Sequence, residues 1–73
     1  MDFVFDDSKS LKNKEKHNID FYEAQKIWDD PFRVEISAKY VDEQRKLIIG
    51  RIDDLLWSAI ITFRNTKIRI VSV

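Results

Sequence analysis

The stretch Arg45-Lys46-Leu47-Ile48-Ile49-Gly50-Arg51-Ile52-Asp53-Asp54-Leu55-Leu56-Trp57-Ser58-Ala59-Ile60-Ile61-Thr62-Phe63-Arg64-Asn65-Thr66-Lys67-Ile68-Arg69-Ile70-Val71-Ser72-Val73 decides the fold. Its apolar runs 45–52, 55–63 and 67–73 are separated by Asp53-Asp54 and Asn65-Thr66. Runs of this length bounded by turn-forming pairs read as β-strands joined by hairpins. Two-residue loops at both pairs set the register. Gly50 then stands opposite Trp57, Ile48 opposite Ala59, Ile61 opposite Ile70 and Phe63 opposite Ile68. These residues form one apolar face for helices to cover, and Gly50 makes room for the Trp57 ring. The other face receives Arg45, Thr62 and Arg69 as cross-strand neighbours, with Arg64, Arg51 and Ser58 nearby. It also carries Leu47, Ile49, Leu56, Ile60 and Val71. A slip of one residue in either hairpin would scatter this set.

Just upstream, Phe32–Tyr40 alternates. Val34, Ile36, Ala38 and Tyr40 take one side, and Arg33, Glu35, Ser37 and Lys39 the other, as in a half-buried strand. Val41–Gln44 is polar and reads as a turn. Keeping the apolar side of this strand on the core requires an odd or bulged connection, which would put Glu35 and Lys39 on the arginine face.

Before Pro31 the period is helical. Asp20 can cap a helix, and Glu23 three residues on completes a capping box. Phe21, Ala24, Ile27 and Trp28 share one face of a helix from about Phe21 to Trp28, and Pro31 ends the element. Further upstream, Asp6 or Asp7 can cap a polar helix running to about His17. Lys9, Asn13, Lys16 and His17 share a face of it. That face is either functional or merely exposed, with the helix held by packing at Leu11, its one large apolar residue. Phe3-Val4-Phe5 reads as a short N-terminal strand or anchoring segment. The expected architecture is α+β, a single domain over residues 1–73. Two N-terminal helices pack on one face of a four-stranded antiparallel sheet.

The chain has 73 residues and no cysteine, so neither a disulfide nor a thiolate metal site is available. The absence of cysteine, of a basic apolar leader and of a long apolar run points to a cytoplasmic protein without a membrane span. Lysine plus arginine and aspartate plus glutamate number 13 each, but unevenly placed. Residues 1–31 hold five basic and eight acidic side chains, and residues 32–73 hold eight basic and five acidic. All five arginines (Arg33, Arg45, Arg51, Arg64 and Arg69) lie after Pro31. Guanidinium forks match phosphates and carboxylates. An arginine-rich sheet face is either a solvated surface or a seat for an anion, and the apolar residues among the arginines call for a covering partner. His17, the only histidine, suits proton transfer near neutral pH, or it serves the C-terminal dipole of its helix. Asp29-Asp30 and Asp53-Asp54 are adjacent pairs without histidine spacing, so no metal site is expected.

Phe5-Asp6, Lys9, Asn13, Lys16-His17, Ile19, Phe21, Ala24, Trp28-Asp29-Asp30-Pro31, Glu43, Arg45, Ile49-Gly50-Arg51, Thr62, Arg64 and Ile68-Arg69-Ile70-Val71-Ser72 together resemble the BrnT toxins of type II toxin–antitoxin modules. The resemblance spans nearly the whole chain. It implies a RelE-like fold and an endoribonuclease that arrests translation by cleaving RNA without a cofactor. It also implies a BrnA-like antitoxin with a ribbon-helix-helix domain, through which DNA is reached only indirectly. Family members usually continue past the last strand with an alanine-arginine step and a helical segment, whereas this sequence stops at Val73. It therefore reads as a C-terminally short form, and the alternative reading is a weak or inactive module that only binds its antitoxin.

A metal-free ribonuclease removes a proton from a 2′-hydroxyl, protonates the leaving 5′-oxygen and stabilises charge on phosphate. Arg45, Arg64 and Arg69 suit the last task. His17 is the first candidate for proton transfer, with Lys16 or Glu35 as substitutes. Lys9, Asn13, Arg51 and Lys67 are the candidate RNA contacts.

Overall fold

The computed structural model describes residues 2–40 and 43–73. The sheet has strands β1 (Phe3–Val4), β2 (Val34–Tyr40), β3 (Glu43–Ile52), β4 (Leu55–Arg64) and β5 (Lys67–Ser72). Their order is β1-β5-β4-β3-β2. The hairpin register follows the expected pattern: Gly50 pairs with Trp57, Ile48 with Ala59 and Arg45 with Thr62, while Thr62 pairs with Arg69 and Ile61 with Ile70. Asp53 and Asn65 adopt φ of 54° and 58°. Tight hairpin loops need this left-handed geometry, and Asp and Asn tolerate it without glycine.

The expected four antiparallel strands gain a fifth, and the sheet is mixed. β1 runs parallel to β5, pairing Phe3 with Ile68 and Val4 with Arg69, and the Ile68 N–H donates to Asp2 O at 2.9 Å. Phe3 and Phe5 anchor this segment with edge-on ring contacts. Phe3 meets Trp28 at 4.8 Å and Phe5 meets Phe21 at 5.7 Å.

Helix α1 (Asp7–His17) starts where Asp6 caps it, accepting from the N–H groups of Ser8 and Lys9. It ends at Asn18, whose φ of 62° and bond to Lys14 O form a left-handed cap. Packing at Leu11 does not hold this helix, because Leu11 is 66% exposed. Buried polar side chains hold it instead. Ser10 Oγ accepts from the Phe21 N–H, and Asn13 Nδ2 donates to Ile19 O, both at 2.9 Å.

The second helical segment is α2 (Phe21–Ala24) followed directly by a 3-10 helix, η1 (Gln25–Asp29). Its N-terminal capping box is complete, with Glu23 N–H to Asp20 Oδ1 at 2.7 Å and Asp20 N–H to Glu23 Oε1 at 3.1 Å. Phe21, Ala24 and Ile27 are fully buried and join Ile48, Ala59, Ile61, Ile68 and Ile70 in the core. Trp28 and Trp57 pack at its margin. Gly50 serves η1 rather than the Trp57 ring: a Cβ there would lie 2.7 Å from Ile27 Cγ2 and 3.1 Å from Ile27 O. Asp30 ties this layer down, because its carboxylate accepts from Arg51 N–H at 2.8 Å and Phe32 N–H at 2.9 Å. Arg33 adds to the tie by donating to the carbonyls of Trp28 and Asp30.

β2 faces opposite to the expected way. Val34 pairs with Ile49, Ile36 with Leu47 and Ala38 with Arg45, so these apolar residues join the open face. Glu35 and Ser37 stand opposite Ile48 and Lys46, and Lys39 opposite Gln44, in the rows of the helical side. The reason is reach. The helical layer packs on β3 and β5 and does not extend to β2, and at the sheet's end Glu35 forms ion pairs with Arg33 (3.3 Å) and Lys46 (3.4 Å). The expected turn at Val41–Gln44 is corrected at its second half. Glu43 and Gln44 belong to β3, and Val41-Asp42 lies outside the described residues. A second parity change occurs in β5. Ile61 pairs with Ile70 but Ile60 with Ser72, so the irregularity takes Val71 out of the open-face row.

Candidate nucleic-acid interface

The open face has a cationic end and an apolar end. At the cationic end Arg45, Thr62 and Arg69 lie side by side on three adjacent strands, and Arg64 pairs with Lys67 where β4 turns into β5. Direct cross-strand neighbours are about 5 Å apart at Cβ, so the three arginines and Lys67 form one patch. Thr62 is only 3% exposed although it lies on the uncovered face. Arg45 and Arg69 are its cross-strand neighbours on either side, and long side chains at such positions can cover a short one between them. The Thr62 hydroxyl donates to Gln44 O at 2.9 Å, which fixes this row.

The patch contains a carboxylate that the sequence reading leaves in a turn. Glu43 accepts from Arg45 Nε at 3.1 Å. The Arg45 guanidinium, with the charge of Arg64 beyond it, holds the Glu43 carboxyl below the usual range. Thr62 also faces this carboxylate, but its single hydroxyl proton is engaged by Gln44 O, so Arg45 is the assigned cause. The signal for Glu43 is the two-residue separation from Arg45. That spacing puts both side chains on one face once β3 is seen to begin at Glu43.

The apolar end carries Val34, Ile36, Leu47, Ile49, Leu56 and Ile60. Val34 is 51% exposed, Ile36 46% and Leu56 66%. Arg51 stands at this end, opposite Leu56. It lies six residues along β3 from Arg45, roughly 20 Å away at strand rise, and is not part of the cationic patch.

The remaining candidates sit in the helical layer. Lys9, Lys12, Lys16 and His17 line a groove between α1 and Val71–Val73, with Asn13 and Phe21 at its base. The four basic residues are exposed. Among the described residues, none of the arginines lines this groove, so the structure does not bring His17 or Lys16 to Arg45, Arg64 and Arg69. Asn13 is no surface contact. It is 9% exposed, donates to Ile19 O and accepts from the Val73 N–H at 3.4 Å. An amide that satisfies backbone groups of two elements is structural. Glu35 is on the helical side, away from the arginines.

No group of three or more His, Cys, Asp or Glu among the described residues could hold a metal ion. No helix among them is long and apolar enough to cross a membrane. A family model described as a ribonuclease toxin, BrnT, of a type II toxin–antitoxin system matches residues 5–73. No curated protein matches the chain.

Proposed function

Because the chain belongs to the BrnT family of ribonuclease toxins of type II toxin–antitoxin systems, we propose that it is a metal-independent endoribonuclease whose phosphate site is the Glu43, Arg45, Arg64, Lys67 and Arg69 patch. The observation that carries this reading is the concentration of three guanidiniums and an ammonium on one uncovered face, with Glu43 the one carboxylate among them in the described residues. Guanidiniums fixed on adjacent strands can stabilise the extra negative charge that builds on a phosphoryl group during in-line attack. The 2′-oxygen bonds to phosphorus and the bond to the 5′-oxygen breaks, leaving a 2′,3′-cyclic phosphate and a 5′-hydroxyl. The Glu43 carboxylate takes the 2′ proton, and the Lys67 ammonium supplies a proton to the departing oxygen. Water returns both groups to their starting states.

His17, Lys16, Lys9 and Arg51 bind the RNA away from this centre, because Lys9, Lys16 and His17 line the α1 groove and Arg51 stands at the apolar end of the open face. Two helical segments laid on one face of a mainly antiparallel sheet support a RelE-like fold. RNA cleavage in the cytoplasm would arrest translation. The family implies an antitoxin partner. A BrnA-like antitoxin carrying a ribbon-helix-helix domain fits the apolar half of the open face, and DNA is reached through that domain alone.

Incubating the purified chain with RNA in excess EDTA tests this reading. Cleavage should persist, and the products should carry 2′,3′-cyclic phosphate ends. Cleavage that stops on chelation and returns with a divalent cation would overturn the metal-independent mechanism. Absence of both cleavage and growth arrest, together with tight antitoxin binding, would select a binding-only module.

A further inference from the structure

The sheet ends at β2, and among the described residues the outer edge of this seven-residue strand pairs with nothing. β1 closes the other end with only two residues. Natural edges of this length are usually blunted by proline, a bulge, a covering element or charged side chains, and of these β2 has only its charges, Glu35 and Lys39. The pairing of β2 with β3 runs without a register shift from Val34 to Tyr40, and this stretch contains no proline.

The sequence of this edge is self-complementary in antiparallel pairing. With a two-fold axis normal to the sheet at Ser37, Glu35 of one copy stands opposite Lys39 of the other, twice by symmetry. Val34 stands opposite Tyr40, and Ile36 opposite Ala38. Moving the axis to Ile36 would set Arg33 against Lys39, a like-charge pair that disfavours the slipped register. The axis also keeps both open faces on the same side. The exposed Val34 and Ile36 of each copy then meet in one band continuous with Leu47 and Ile49.

We propose that two copies of this chain pair edge to edge through β2, forming a ten-stranded sheet with both cationic patches on one side. The interface is isologous, so it closes at two copies. It rests on one strand from each copy and is smaller than a standard interface, so the dimer is weak and depends on concentration. The proposal is independent of RNA cleavage.

Sedimentation equilibrium of the full chain over a dilution series reads it directly. The mass should rise from that of one 8.8 kDa chain toward twice that value and go no further. Glu35→Lys and Lys39→Glu should each weaken the dimer by about tenfold, because each sets like charges opposite each other twice. The double variant Glu35→Lys/Lys39→Glu restores both opposite-charge pairs and should return association to the parental level. It keeps any disturbance of the Arg33 and Lys46 ion pairs within the chain, so rescue reports the contact between copies. A monomer at every concentration, or a mass that climbs past two chains, would overturn the proposal. So would a dimer indifferent to the single variants or not rescued in the double.

Discussion

Several residues named by pattern turn out to act through contacts that pattern does not carry. Asn13 is the clearest case, because its place on a basic helical face suggests RNA, while both ends of its amide hold backbone groups. Asn13→Ala strands those groups and should cost about 1–3 kcal/mol in urea denaturation. Leu11→Ala, two residues away and largely exposed, should stay within about 0.5 kcal/mol of the parent. Gly50 follows the same logic. A methyl group there meets the Ile27 carbonyl, which cannot swing aside as a side chain can. Gly50→Ala should destabilise by about 1–3 kcal/mol, through a displaced η1 rather than through Trp57. Glu43 reads as a turn residue in the sequence, whereas in the structure it opens β3 and is the carboxylate beside Arg45. Glu43→Gln keeps the shape but removes the proton acceptor, so cleavage should fall by about 10²-fold or more with little change in RNA affinity.

At the scale of elements, Ile27→Ala opens a cavity under η1 and should cost about 2–5 kcal/mol by thermal or urea denaturation. That figure depends on η1 lying over Gly50, which follows from the capping box and the Phe21, Ala24 and Ile27 stripe. The stripe and the box were legible because they are local in sequence. The β3–β5 register was legible for a related reason, since two-residue loops leave no freedom in parity. β2 was not legible in the same way. Alternation says that a strand has an apolar side but not which face of the sheet receives it. That choice depends on how far the helical layer reaches, a property of the assembled fold. α1 hid its attachment because Ser10 and Asn13 do so by hydrogen bonds, to which a hydrophobic pattern is blind. Of the candidate site, the arginine row comes with the register. Glu43 does not, because the polar run around it has the pattern of a turn, and the chemistry of His17 and Lys16 carries no constraint on distance.

The whole molecule divides its labour between two sides of a thin sheet. The helical side holds the core, and the open side keeps charge and apolar surface exposed. Acid should unfold it. Asp6, Glu23, Asp30 and Glu43 all titrate below the ordinary carboxylate range, for different reasons. Asp6 is held low by the Ser8 hydroxyl and the N–H groups at its helix start, Glu23 by Lys14, Asp30 by the Arg51 and Phe32 N–H groups, and Glu43 by Arg45. The folded form therefore binds these protons less readily than the unfolded chain. Stability is fully present above the unfolded values near ~4 and is lost as pH falls through the lowered folded values. Lys14 shifts upward through the same Glu23 contact, so its share is retained below its ordinary range and lost only as pH rises through the raised folded value. Melting temperature against pH should be flat through neutrality and decline below about pH 5. The central claim, that the open-face arginines carry the chemistry, rests on activity rather than stability. Its most direct test is single-turnover RNA cleavage in EDTA by the parent, Arg64→Ala and Arg69→Ala, with melting measured on the same preparations. We expect cleavage to slow by about 10²–10³-fold in each variant while melting stays near the parental value. Cleavage at the parental rate in both variants would contradict the account.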